Sequence, residues 1–108
     1  NDLMRPALYQ AYHAVDNVSC PDAPKITADI VGTICETGDF IGKERQIGAA
    51  QGDILAIRSA GAYASSMASN YNARCRAAEV MIDEQGNSRL VRRRETMDDL
   101  LATEREYL

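Results

Sequence analysis

Residues 78–93 read AEVMIDEQGNSRLVRR, and this stretch predicts a β-hairpin. Residues 78–83 form a β-prone run, residues 84–88 contain Gly86 and other turn formers, and residues 89–93 supply the returning strand. Similar short segments occur towards the N-terminus at intervals of about 8–12 residues, as in sandwiches and barrels. The hairpin and these segments together favour a mostly β fold.

The segments that precede the hairpin predict three more strands. Apolar and polar residues alternate over residues 25–34, where Gly32 marks a bulge or bend. Residues 12–18 alternate in part, as an edge strand does. The apolar run at residues 54–57 is typical of a buried strand.

Two segments are expected to lack regular structure. Residues 40–50 contain Gly42 and Gly48 and are expected to be irregular. A small-residue stretch leads into residues 65–73, which are polar and contain two asparagines suited to turns. Both segments are therefore expected to act as connections between strands.

Helices are expected at both ends of the chain. Residues 3–12 place apolar side chains at roughly helical spacing, with a proline suited to the first turn. Residues 95–108 have Thr96 as a helix cap and an apolar face. We therefore predict one domain over residues 1–108: a β-sandwich or Greek-key barrel-like fold with a short N-terminal helix and a C-terminal helix.

Composition excludes several classes of function. The net charge of −4 opposes a nucleic-acid or anionic-membrane partner, and no apolar run approaches the length of a membrane span. The cysteines, Cys20, Cys35 and Cys75, are odd in number and scattered, which opposes disulfides and zinc and favours the reducing cytosol. His13 is alone, so no metal site is expected. The start at Asn1, with neither Met nor a secretory segment, is expected of a piece cut from a longer protein.

One loop has the character of a site. The strand at 25–34 ends near a glycine bend and leads to Cys35 and Glu36 in a loop closed by Gly38. Loops held by a rigid sheet often carry chemistry, and a thiol beside a carboxylate can donate a proton and bind an amine. Taken by itself, such a pair is more often a small buried thiol next to a surface carboxylate.

Five motifs, in order along the chain, resemble those of diaminopimelate decarboxylases, which depend on pyridoxal phosphate (PLP). The match covers nearly the whole chain, and Thr37 replaces the usual serine of one motif. The motifs are NDLMRPALY at 1–9, ICETGD at 34–39, SAGAY at 59–63, SNYN at 69–72 and RRRET at 92–96.

The resemblance implies a fold, and it implies that another domain of the enzyme binds the cofactor. The family has a PLP-binding (β/α)8 barrel followed by a β domain, and this sequence corresponds to the β domain alone. The cofactor-binding lysine and the glycine-rich phosphate loop belong to the barrel, and neither Lys25 nor Lys43 lies in such a motif. The chain is therefore expected to be inactive alone and to act in a homodimer with shared active sites.

The resemblance also implies roles for five residues. Arg5 is similar to the arginine that binds a substrate carboxylate, and Tyr9 to the tyrosine that assists it. Cys35 is similar to the proton donor, and Glu36 to the residue that contacts the distal amino group of diaminopimelate. Tyr63 is similar to the tyrosine that hydrogen-bonds the cofactor phosphate near the substrate.

Other functions remain open at this level. The implied reaction is decarboxylation of meso-diaminopimelate to lysine, in lysine biosynthesis. A sister PLP decarboxylase acting on arginine, ornithine or carboxynorspermidine is the first alternative. A stand-alone β domain used for dimerisation or ligand binding is the second.

Overall fold

A computed structural model describes all 108 residues and confirms a mostly β chain with few helices. Three antiparallel strand pairs are joined by short helices and long connections. The helices are α1 (Arg5–Tyr9), α2 (Gly61–Met67) and α3 (Met97–Leu100); the strands are β1 (Val15–Asn17), β2 (Ile26–Val31), β3 (Phe40–Ile47), β4 (Leu55–Ile57), β5 (Glu79–Ile82) and β6 (Ser88–Arg92); 3-10 turns occupy Tyr71–Ala73 and Arg105–Tyr107.

The strands form three separate two-stranded sheets, β1–β4, β2–β3 and β5–β6. The predicted hairpin is confirmed, with Val80 opposite Leu90 and Gly86 in the turn at a φ of +85°. Helix α1 packs against β3, which β1 also contacts, so these elements form the centre of the molecule. No helix is both long and apolar enough to cross a membrane.

Asn17, a buried polar residue, holds this centre together. Its Nδ2 donates to the carbonyl of Gly48 at 2.8 Å and to Oδ2 of Asp53 at 2.9 Å. Its Oδ1 accepts the N–H of Cys20 at 2.8 Å. One side chain therefore joins β1 to the end of β3, to the turn before β4 and to the loop that leads to β2.

The fold leaves an unusually large surface in contact with solvent. The accessible area is 8028 Å², whereas a compact protein of this mass exposes about 5,900 Å². The radius of gyration is 16.0 Å, against about 13 Å for a compact domain of this length. Only 8 of 108 residues are buried, and the β5–β6 hairpin exposes Val80, Met81, Ile82, Leu90 and Val91. Contiguous apolar surface of this kind marks an interface.

The prediction that residues 40–50 are irregular is wrong, because Phe40–Ile47 forms β3. The register between β2 and β3 shifts where Ala28 faces Arg45 but Ile30 faces Gly42. Glu44 lies in this bulge with a φ of +53°, and Asp29 accepts its N–H at 2.8 Å. The bulge interrupts the two-residue period, which is the signal by which a strand is recognised.

The helix predicted over 95–108 is much shorter in the structure. Helix α3 spans only Met97–Leu100, and turns follow it. Its predicted cap is confirmed: Oγ1 of Thr96 lies 3.0 Å from the Asp99 carboxylate, which also accepts the Thr96 N–H at 2.8 Å. A longer helix needs an apolar face packed on a partner, and Met97 is half exposed.

The connection after β4 also differs from its prediction. Residues 61–67 form the helix α2. The sequence pattern there shows only small and polar side chains, but alanine and methionine are good helix formers and sustain the helix. The predicted turn follows it, and Asn72 there has a φ of +58°. This helix carries Tyr63 and therefore matters for the site.

Candidate functional site

Arg5 and Tyr63, which come from two different motifs, are in direct contact. The guanidinium of Arg5 lies 4.0 Å from the centroid of the Tyr63 ring. Helix α1 begins at Arg5, with Pro6 in the first turn, and α2 presents Tyr63 with its side chain partly exposed. The aromatic ring supports the guanidinium by a cation–π contact. The fold therefore brings together a fixed cation and a phenol.

Tyr9 lies at the other end of α1. Residues four apart in a helix share a face, so Arg5 and Tyr9 lie on one side of α1, as the sequence predicts. The Tyr9 side chain is exposed. Its phenol is therefore open to solvent on the face of α1 that carries Arg5.

Cys35 and Glu36 occupy the tip of the loop between β2 and β3, and both are exposed. The base of this loop is closed by backbone hydrogen bonds. The N–H of Gly32 donates to the carbonyl of Asp39 at 2.7 Å, and the N–H of Asp39 donates to the carbonyl of Glu36 at 3.0 Å. The thiol and the carboxylate are therefore exposed to solvent on a loop whose base is closed.

The Glu36 carboxylate is oriented within its own loop. Its Oε1 accepts the Gly38 N–H at 3.1 Å and the Thr37 hydroxyl at 3.2 Å. Gly38 lies beside α1, since a Cβ built on it would meet the Cβ of Ala7 at 3.7 Å. The tip thus lies beside the helix that carries Arg5.

Two residues that sequence reasoning left without a role support this loop. Arg74 donates to the hydroxyl of Thr33, at the base of the loop, and pairs with Asp2 at 3.2 Å. Asp39 accepts the N–H of Ile34 at 2.8 Å. The signal for Asp39 was its place at the end of the Cys35 motif, whereas nothing local indicated Arg74.

Burial raises the pKa of Asp39, whereas the hydrogen bond from the Ile34 N–H and the charge of Arg74 lower it.

Two further motifs meet at Glu95. Its Oε2 accepts hydrogen bonds at 2.7 Å from the Arg76 N–H and from the Asn70 amide. The Nε of Arg76 donates to Oε1 at 2.8 Å. The Arg76 hydrogen bonds, with the weaker contribution of Asn70, hold the pKa of Glu95 below its ordinary value. This contact joins the turn after α2 to the segment after β6.

Of this pair, the Tyr63 phenol is the group whose chemistry fits the phosphate of PLP, the cofactor that the motifs imply. The Tyr63 hydroxyl is a donor, and a Cβ on the neighbouring Gly61 would meet no atom within 4 Å, so the backbone there is open to approach. The two lysines lie elsewhere: Nζ of Lys43 lies 4.5 Å from the centroid of Phe40, and Lys25 is exposed before β2. The Tyr63 hydroxyl is therefore a free-standing donor on α2, and both lysines lie in other surroundings.

Two curated relatives of this chain are diaminopimelate decarboxylases. The chain is 63% identical over 105 residues to diaminopimelate decarboxylase of Neisseria meningitidis serogroup B, with 96% of this chain covered. It is 56% identical over 104 residues to the enzyme of that name from Pseudomonas aeruginosa. The chain spans about a quarter of the length of these relatives, 25% in both cases.

Solved structures agree with the sequence matches. Diaminopimelate decarboxylase of Helicobacter pylori complexed with L-lysine matches with a TM-score of 0.88 at 37% identity, covering 99% of this chain and 26% of that one. The M. jannaschii enzyme in co-complex with L-lysine gives a TM-score of 0.82 at 44% identity, covering 94% and 23%. A family model described as "Pyridoxal-dependent decarboxylase, C-terminal sheet domain" matches residues 1–61. The chain therefore belongs to the C-terminal sheet domain family of the pyridoxal-dependent decarboxylases, as its motifs predict.

Proposed function

We propose that this chain is the C-terminal domain of a diaminopimelate decarboxylase, which converts meso-2,6-diaminopimelate to L-lysine and CO2 in lysine biosynthesis. The observation that carries the proposal is the solvent-exposed Cys35–Glu36 tip on a closed loop beside α1. A thiol and a carboxylate held in this way serve a ligand outside the chain's own core. The N. meningitidis and H. pylori proteins supply the name of the reaction.

The distal end of the substrate carries both a carboxylate and an amino group, and the chain offers a partner for each. Arg5 binds the distal carboxylate with its two-pronged guanidinium, and Tyr9 assists from the same face of α1. Glu36 binds the distal amino group through Oε2, because Oε1 already accepts the Gly38 and Thr37 donors. A substrate with both groups fits this pair better than ornithine, which lacks the distal carboxylate.

PLP, when bound, supplies the electron sink that stabilises the electron pair left on Cα after CO2 departs. The Tyr63 hydroxyl donates to the cofactor phosphate, and Arg5 lies against the ring of the same residue. The Cys35 thiol then delivers a proton to Cα. The lysine that holds the cofactor comes from the barrel domain and not from Lys25 or Lys43.

The large exposed surface supports two partners for this domain. It exceeds that of a compact protein by roughly 2,000 Å², more than the ~800 Å² that one partner contributes to a standard interface. We assign this surface to the barrel of the same polypeptide and to a second subunit, so that the Cys35–Glu36 tip enters the active site of that subunit. Three free cysteines fit a reducing compartment, and we place the enzyme in the cytosol.

The test is a substrate comparison with the complete gene product. CO2 release should be fastest from meso-diaminopimelate and at least about tenfold slower from ornithine, arginine and carboxynorspermidine, because an unpaired Arg5 or Glu36 costs about 1.5 kcal/mol or more. The 108-residue chain alone should release no CO2 and form no stoichiometric lysine adduct with PLP. A preference for ornithine or arginine would refute the assignment of meso-diaminopimelate as the substrate. Activity of the isolated chain would refute the claim that catalysis needs the barrel domain.

A further inference from the structure

The base of the Cys35 loop is closed by a side chain as well as by backbone pairing. The side chain of Asp39 is 9% exposed and lies inside the turn of the loop. Its Oδ2 accepts the N–H of Ile34, the residue before Cys35, at 2.8 Å. Because the backbone of Asp39 also accepts the Gly32 N–H at 2.7 Å, one residue closes the loop with both its main chain and its side chain.

Gly32 provides an independent observation. A Cβ built at this position would lie 2.0 Å from Oδ2 and 2.3 Å from Cγ of Asp39. The φ of Gly32 is not in the left-handed region, so backbone conformation does not require a glycine here. The glycine instead leaves the space that the Asp39 carboxylate occupies.

We propose that Asp39 is a positioning residue, which holds the Cys35–Glu36 tip in its working place by bonding the Ile34 N–H within the space left by Gly32. The inference rests on the proposed function, because it concerns the residue that delivers the proton. Asp39 itself lies half-buried at the base of the loop and acts through the tip. Arg74, bonded to Thr33, supports the same base.

The first measurement is amide hydrogen exchange in the complete gene product. Asp39→Ala should raise exchange in residues 32–39 by about tenfold or more, because a buried N–H loses its acceptor. Gly32→Ala should do the same, since its Cβ displaces the carboxylate. Asp39→Asn retains an acceptor oxygen and should stay within about threefold of the parent protein.

The matched control is Asp29→Ala. Asp29 also accepts a backbone N–H across the β2–β3 pair, from Glu44 at 2.8 Å, but at the bulge and not in the loop. This variant should leave exchange in residues 32–39 unchanged. Unchanged exchange in Asp39→Ala would overturn the proposal, and if that variant fails to fold, Gly32→Ala and Asp39→Asn decide it.

The second measurement asks whether Asp39 acts through Cys35. Asp39→Ala should lower kcat about tenfold or more in the parent background, but by less than about twofold in a Cys35→Ala background, because the tip then carries no thiol to position. Equal losses in both backgrounds would overturn the positioning role. If Cys35→Ala alone leaves turnover unchanged, the proton-donor assignment fails, and the exchange data still decide whether Asp39 holds the tip.

Discussion

Replacing Tyr63 separates two functions that its side chain has in the proposed site. The hydroxyl is assigned to the cofactor phosphate, whereas the ring supports the guanidinium of Arg5 at 4.0 Å. Tyr63→Phe removes only the hydroxyl, and Tyr63→Leu removes both the hydroxyl and the ring. The two variants should therefore differ in substrate binding and agree in cofactor binding.

The magnitudes follow from the two contacts. A hydrogen bond to a charged group contributes about 1.5–3 kcal/mol, so both variants should weaken PLP binding by roughly 10- to 150-fold. A cation–π contact at a partly exposed site contributes about 0.5–1 kcal/mol. The KM of Tyr63→Leu should therefore be roughly two- to fivefold higher than the KM of Tyr63→Phe.

The assay is PLP titration of the complete gene product, followed by steady-state kinetics at saturating cofactor. Lys43→Met is a suitable control, because it removes a cation–π contact of the same kind, with Phe40, outside the proposed site. Unchanged PLP affinity in Tyr63→Phe would refute the phosphate assignment. Equal KM values for the Phe and Leu variants would refute the role of the ring.

Three other perturbations test the chemistry and the scaffold. Cys35→Ala in the complete gene product should slow turnover about 100-fold or more while PLP stays bound, as expected on loss of a general acid; unchanged turnover, measured by CO2 release, would remove Cys35 from the mechanism. Asn17→Ala should destabilise β1 and β4 by about 2 kcal/mol or more, seen as faster native-state hydrogen exchange, because three hydrogen bonds are lost in a buried place; normal protection would show that water replaces them. Glu95 has a lowered pKa in the folded chain, so its stabilising effect is present above its ordinary value of 4.5 and is lost as the pH falls further. The difference in thermal midpoint between the parent protein and Glu95→Gln should thus be constant above about pH 5 and become smaller at lower pH. A constant difference down to pH 3 would contradict a lowered pKa of Glu95.

The elements that were predicted from the sequence are those whose signal is local. The hairpin follows from a β-prone run, a turn with Gly86 and a second run, and α1 follows from Pro6 and helical spacing. The strand β3 was missed because its bulge at Glu44 breaks the alternation, and that bulge depends on Asp29 in another strand. The helix after Thr96 was predicted too long because its continuation depends on packing that local sequence does not report.

The candidate site divides in the same way. Arg5, Tyr9, Cys35, Glu36 and Tyr63 were named through motif resemblance, since by type and spacing alone they are more typical of ordinary surface and core side chains. The contact between Arg5 and Tyr63 depends on how α1 and α2 meet, which no local pattern predicts. Arg74 was missed for the same reason, because its partners Thr33 and Asp2 are distant in sequence.

The exposed faces of the β5–β6 hairpin have a consequence for mutational tolerance. Val80, Ile82 and Leu90 are more than half exposed in this chain, and by that measure a polar replacement there would cost little. If the surrounding protein covers these faces, each such replacement carries the penalty of an interior position. A saturation scan under selection for growth without lysine should therefore reject polar replacements at these positions, as at interior positions, although the side chains are exposed in this chain.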